Sequence, residues 1–94
     1  MNQVQFDWDE NKNSENKNKH GVSFYEAQKA FFDLNRVIAL DTKNSIKEQR
    51  YYCFGLVKDR ILTVRFTYRN DFIRIIGAGY WRKGKKIYEK AQKK

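Results

Sequence analysis

The sequence has no proline, one histidine and one cysteine. Each scarcity closes off a class of reading. Cys53 alone cannot build an internal disulfide framework, which fits a reducing compartment. No signal peptide is expected, so the expected location is cytoplasmic. No apolar run approaches the roughly 18 residues that a membrane span needs, and no membrane partner is expected. With a single His and a single Cys and no HxxxH-type spacing, a metal-ligand set is a poor fit; no metal and no other cofactor is expected. Gly77-Ala78-Gly79 is too short for a phosphate-cradling loop and emerges from a strand. A Cys–His nucleophile pair exists on paper, but Cys53 lies in the apolar run Tyr51-Tyr52-Cys53-Phe54 and reads as core. There are no repeats and no linker, so residues 1–94 read as a single domain.

Positive charge, by contrast, is plentiful. Twenty Lys and Arg against eleven Asp and Glu leave a formal charge of +9. That excess favours a polyanionic or acidic partner; the plainer alternative is a basic surface that only confers solubility. The charge is uneven. From Trp81 to Lys94 there are seven Lys/Arg and one acid, Glu89. This block also carries Ile87, Tyr88 and Ala91, so it reads as a helix with one docked face. Aromatics make up 16% of the chain, which offsets its small size because each buries a large area.

Val4, Phe6 and Trp8 alternate with polar residues, as in a short strand or extended anchor. Asp9 to Gly21 has no strongly apolar side chain. Asp7 or Asp9 reads as its N-cap, Glu10 supports its first turn, and Gly21 is its stop. Ser23-Phe24-Tyr25-Glu26 is a capping box opening a second helix to about Asp33, with Phe24, Ala27, Phe31 and Leu34 at helical spacing. The period then changes from 3.6 to 2. Strands are expected at 36–40, 50–57, 61–69 and 72–80, the last three joined by short turns into a meander. A helix over 82–93 closes the chain, its first turn weakened by Gly84. The class is α+β: an antiparallel sheet of about four to five strands, two N-terminal helices and one C-terminal helix.

Alternation puts Leu62, Val64 and Phe66 on one face of their strand and Thr63, Arg65, Thr67 and Arg69 on the other. One reading buries the first set with Ile73 and Ile75, with Gly77 and Gly79 on that buried face allowing close approach. Arg65, Arg69, Arg74 and Tyr80 would then share the opposite face. These arginines are either ordinary solvent-facing strand residues or an anion-binding surface.

Such a surface suits chemistry that needs no cofactor. RNA carries its own nucleophile, the 2′-OH. A metal-free ribonuclease needs a group to accept that proton, cations for the phosphorane and an acid for the 5′-oxygen. Histidine is the side chain whose ordinary pKa serves proton transfer near neutrality. His20 is that group or simply a C-terminal helix residue; Tyr80 or a lysine can substitute. The alternative function is a non-catalytic basic nucleic-acid-binding module that uses aromatics for stacking.

The blocks Phe6-Asp7-Trp8-Asp9 with Lys12 and Asn16, Lys19-His20-Gly21-Val22-Ser23-Phe24-x-Glu26-Ala27, Glu48-x-Arg50-Tyr51 with Gly55, Leu62-Thr63-Val64, Thr67-x-Arg69 and Arg74-Ile75-Ile76 resemble the BrnT family of type II toxins. The resemblance implies a RelE-like fold and a ribonuclease that arrests translation. It also implies an antitoxin, the ribbon-helix-helix protein BrnA, through whose complex alone DNA is contacted and the operon repressed. The active surface it implies falls on His20, Arg69, Arg74 and the basic residues after the last strand. The candidate site is therefore His20, Arg69, Arg74 and Tyr80 for catalysis, with Lys12, Lys19, Arg65, Arg82, Lys83, Lys85 and Lys86 as RNA contacts. One departure stands out. Where the family commonly continues the last strand as Ser-Ala-Arg, this chain has Gly77-Ala78-Gly79, so the usual arginine is missing at 79.

Overall fold

In a computed structural model that describes residues 4–93, the first helix, α1 (Glu10–His20), starts and stops on local signals. Asp9 is the N-cap and its carboxylate accepts from the N–H groups of Asn11 and Lys12; Gly21 ends the helix in the left-handed region at φ 69°. Although wholly polar, α1 docks on the protein through one buried side chain, Asn16. Its Nδ2 donates to the carbonyls of Val22 and Ala78, each at 2.9 Å, and its Oδ1 accepts from the Ala78 N–H at 3.1 Å.

The expected second helix survives as one turn, α2 (Phe24–Ala27), then tightens to a 3-10 segment over Gln28–Phe32. The tighter stretch lies directly on the sheet: a Cβ on Gly55 would sit 2.2 Å from the Ala30 carbonyl oxygen. Leu34, expected on the helix's apolar face, is 93% exposed because the helix has ended. The capping box is half made. Ser23 Oγ accepts from the Glu26 N–H at 3.0 Å, but the Glu26 carboxylate accepts from the Tyr80 hydroxyl at 2.5 Å.

The strands are β1 (Gln5–Asp7), β2 (Val37–Asp41), β3 (Arg50–Val57), β4 (Arg60–Arg69) and β5 (Phe72–Gly79), ordered β1-β5-β4-β3-β2 in one sheet. The expectation of an all-antiparallel sheet is corrected at one edge: β1 pairs parallel to β5. A parallel neighbour needs a long crossover, and here everything between β1 and β5 supplies it. The β3–β4 and β4–β5 hairpins turn on Lys58-Asp59 and Asn70-Asp71, all four residues at positive φ, as the twist-compatible two-residue turn requires.

On one face of the sheet Leu62, Val64, Phe66, Ile73, Ile75 and Cys53 pack beneath Phe24, Ala27, Ala30 and Phe31 to form the core. The other face is partly covered by α3 (Arg82–Gln92). There Gly84 is a packing requirement, since a Cβ would meet Thr63 Oγ1 at 1.9 Å and the Phe54 ring at 3.0 Å. The pairing also slips once. Arg65 faces Gly77 while Phe66 faces Ile75, which leaves Ile76 as the extra residue of a bulge. Beyond it Ala78, opposite Val64, is on the core face, and Gly77 and Gly79 oppose Arg65 and Thr63 on the other. The expected burial of both glycines on the core face is thereby reversed.

Asp33 ties α3 to the sheet: Tyr88 donates its hydroxyl at 2.7 Å and the Leu56 N–H donates at 2.8 Å, both to Oδ2. Burial acts to raise this carboxyl, but the bonds from Tyr88, Leu56 and Asn35 outweigh it and hold the pKa below the ordinary value of 3.8. A depressed folded-state value means a stabilisation present above the unfolded pKa and lost as pH falls through the folded one. Asp33→Asn is expected to lose about 1 kcal/mol at neutral pH, roughly 4–8 °C in Tm. The gap from the parent should close as both are melted in progressively stronger acid. A gap that stays constant down to pH 2 contradicts this account.

Candidate nucleic-acid interface

α1 presents Lys12, Asn16 and Lys19 along one side at i, i+4 and i+7, with His20 at the end. Asn16 presses that side against β5. The result is a groove of about 270 Å³ whose walls include Lys12, Lys19 and His20 from α1, Arg65 from β4, Gly77 from β5, and Trp81. The bulge and Gly77 make room for it: a Cβ at 77 would lie 3.8 Å from Asn16 Oδ1 and 3.9 Å from Arg65 Cδ. The His20 ring meets the Trp81 indole edge to face, centroids 5.1 Å apart.

Arg65 is half-buried and makes no ion pair among the described residues, and its Nε is buried without a partner. Its charge is felt by Asp41 at longer range. Burial acts to raise that carboxyl, while the hydrogen bonds of Asn44 and the attraction of Arg65 carry it below its ordinary value.

The other two predicted arginines are on the same face but engaged. Arg74 pairs with Asp7 at 2.6 Å. Arg69 is held by Glu48, Nη2–Oε2 at 3.1 Å and Nε–Oε1 at 3.4 Å. The same carboxylate reaches Arg50 at 3.6 Å, and the hydrogen bond from Arg69 is the first cause of its lowered pKa. Neither Arg69 nor Arg74 lines the His20 groove.

Tyr80 is a correction. The bulge turns it to the core side, where it packs against the core cluster, donates to Glu26 and carries the Arg60 guanidinium 4.0 Å over its ring. Burial, then the hydrogen bond to Glu26, pushes its hydroxyl up to about 12. Tyr80 is therefore a bound phenol on the face opposite Arg65. Cys53 is buried in the core with its thiol pushed up to about 12, first by burial, so it is no nucleophile.

The basic residues of α3 divide. Lys83 borders the sheet side next to Arg65, whereas Arg82 and Lys85 line a different hollow with Tyr80 and Tyr88; Lys86 is exposed. α3 begins at Trp81 with no side-chain cap and no acid in its first turn. Four cations at the positive end of a helix dipole repel it, and an anion beside them relieves the repulsion. Among the described residues no three His, Cys, Asp or Glu side chains come together to hold a metal ion, and no helix is long and apolar enough to cross a membrane.

Two residues escaped sequence reasoning. Asn16 belongs to the motif that carries the resemblance, but nothing in the sequence marks it as the side chain that docks α1. Trp81 looks like a joint between the last strand and the closing helix, yet its indole covers Gly79, where a Cβ would lie 2.4 Å from Trp81 Cε2. The space into which a side chain at 79 would project holds an aromatic ring instead. Glycines two apart on one strand were the available signal that something bulky crosses that face.

The model of the family described as "Ribonuclease toxin, BrnT, of type II toxin-antitoxin system" matches residues 8–84. The fold is similar to the 1.1 Å crystal structure of the Brucella abortus ribonuclease toxin BrnT, with a TM-score of 0.65 at 23% identity over 84% of this chain and 97% of that one. No curated protein sequence matches the chain. Because the family match takes in α1, the strands β2 to β5 and the start of α3, the chain belongs to the BrnT family of type II ribonuclease toxins.

Proposed function

We propose that the chain is a metal-independent endoribonuclease that arrests translation in the cytoplasm, working in the groove between α1 and the β4–β5 face. The observation that carries this reading is that Lys12, Lys19, His20 and Arg65, from separate stretches of the sequence, line one groove. In the proposed step His20 accepts the proton of the RNA 2′-OH, whose oxygen attacks phosphorus. Arg65 stabilises the non-bridging oxygens as they gain charge, and the P–O5′ bond breaks with the leaving oxygen protonated by solvent. Lys12 and Lys19 hold neighbouring phosphates, and Lys83, with Arg82, Lys85 and Lys86 around α3, extends the positive field. Arg69 and Arg74 are outer phosphate contacts, weakened by their carboxylate partners. Tyr80 has no part in the step.

The wider system follows the family likeness: a RelE-like toxin neutralised by a BrnA-like ribbon-helix-helix antitoxin, whose complex contacts DNA and represses the operon. An acidic antitoxin segment over α1 and Arg65 would block RNA by neutralising the groove.

The chemistry makes its own test. Purified protein should cut RNA in excess EDTA and leave 2′,3′-cyclic phosphate and 5′-hydroxyl ends. Loss of all cleavage in EDTA rules out the proposed step. The engaged state of Arg69 and Arg74 favours a second reading, RNA binding without cleavage; salt-sensitive binding with intact RNA and unimpaired growth on induction would establish it.

A further inference from the structure

A second, larger groove adjoins the first on the same face of the sheet. Its volume is about 590 Å³, within the range of small-ligand sites. Tyr52, Phe54 and Thr63 floor it and Lys83 and Ile87 of α3 wall it. It shares two residues with the His20 groove, Arg65 and Trp81, so the two are immediate neighbours. Their characters differ. The first is walled mainly by cations and the imidazole, with one acid, Glu15, on the α1 side; the second is bordered by three aromatic residues, two of which, Tyr52 and Phe54, already stack on each other at 5.6 Å. Among the described residues Thr63 Oγ1 and Arg65 Nε on its border have no hydrogen-bond partner, but both are covered, Thr63 Oγ1 by Gly84 of α3, so recognition falls to the aromatic rings and the cations.

From this arrangement we infer that the second groove is a base subsite, holding the nucleobase adjacent to the scissile phosphate. The inference rests on the ribonuclease reading of the first groove. A base offers a π-face to Trp81 and Tyr52 and its ring nitrogens or carbonyl oxygens to the outer nitrogens of the Arg65 guanidinium, while its phosphate stays between Arg65 and α1. Lys83 sits where the next phosphate of the strand would pass. The aromatic walls and the cations at the junction fit a nucleotide, and a single nucleotide spans both grooves across their shared residues. The indole over Gly79 then has a purpose: it is the platform between proton-transfer group and base.

NMR titration of the isotopically labelled chain with each of the four nucleoside 5′-monophosphates, and separately with inorganic phosphate, tests this. Nucleotides should shift the Trp81 indole N–H and the Tyr52 and Phe54 signals, leaving the indole of Trp8, which packs against Phe24, unmoved as a control on the fold. Inorganic phosphate should move Arg65 and α1 signals but not Tyr52 or Phe54. Tyr52→Leu keeps an apolar strand residue and should weaken nucleotide binding about tenfold. Nucleotides that move only the signals phosphate moves, or that bind Tyr52→Leu as tightly as the parent, overturn the base subsite and leave the groove to an apolar segment of a protein partner. Nucleotide binding needs no cleavage. A chain that binds bases through Tyr52 yet leaves RNA intact refutes the ribonuclease reading and not the subsite; one that cuts RNA without a Tyr52 response refutes the subsite alone.

Discussion

Arg65→Ala is expected to lower the rate of RNA cleavage by about 10²–10³-fold, the cost of removing one preorganised donor from developing charge. The prediction ranks Arg65 above Arg69 and Arg74, although all three are on one face. Coulomb attraction to a phosphorane is useful only from a guanidinium whose fork is free. Arg69 already donates twice to Glu48, and Arg74 lies 2.6 Å from Asp7. Moving either onto RNA means breaking one charge pair to make another. Neither lines the groove that holds His20, so as outer phosphate contacts Arg69→Ala and Arg74→Ala should each cost about tenfold or less.

Arg65 makes no ion pair among the described residues, and its half-buried setting lowers the screening that water would impose. Arg65→Lys should fall between, since it restores the charge and loses the bidentate fork. Initial rates on one defined RNA at fixed salt read the order directly, with circular dichroism as the check on folding. A larger loss from Arg69→Ala or Arg74→Ala than from Arg65→Ala would mean that the ion pairs open when RNA binds, and would move the phosphate site along the sheet.

Why the arginines divide in this way was not legible in the sequence. Their shared face follows from alternation alone, but the countercharges come from Asp7 and Glu48, 67 and 21 residues away from the arginines they hold. The same limit explains Tyr80. Strand alternation is a local rule, and one extra residue reverses it for everything downstream. Ile75-Ile76-Gly77 gives only a faint sign of a bulge, so the face of Tyr80 and of both glycines comes out inverted.

Local rules carried further where the signal was itself local. Asp9 and Gly21 bound α1, Ser23 caps α2, and the short turns close the β3–β4 and β4–β5 hairpins. The second helix failed where Gly55 draws the Ala30 backbone onto β3, a contact between residues distant in sequence. The parallel pairing of β1 likewise depends on the whole crossover. At the site, the spacing of Lys12, Lys19 and His20 along α1 could be read from helix geometry. Their meeting with Arg65 could not, because it depends on the bulge and on a single polar side chain, Asn16.

Asn16→Ala is accordingly expected to be the most damaging change on α1, by about 3–5 kcal/mol, with Tm falling by roughly 12 °C or more. The helix has no apolar side chain with which to dock, and among its residues Asn16 alone is buried. Its amide satisfies two carbonyls and one N–H, and alanine leaves all three without that partner. Asn16→Asp separates packing from hydrogen bonding. It keeps the shape and the acceptor for the Ala78 N–H, but sets a carboxylate oxygen against the carbonyls of Val22 and Ala78. Burial and repulsion should raise that carboxyl above its unfolded value of about 3.9. The sign follows: the variant is worst near neutrality and recovers toward the parent as pH falls through the raised pKa, because the protonated acid can donate again. Thermal melts of the three proteins between pH 3 and 8 read this out. Loss of less than about 1 kcal/mol in Asn16→Ala, below the usual cost of one unmet buried hydrogen bond, would show that α1 is held by something else. If the prediction holds, cleavage should fall together with stability, since Asn16 holds to β5 the helix that carries Lys12, Lys19 and His20.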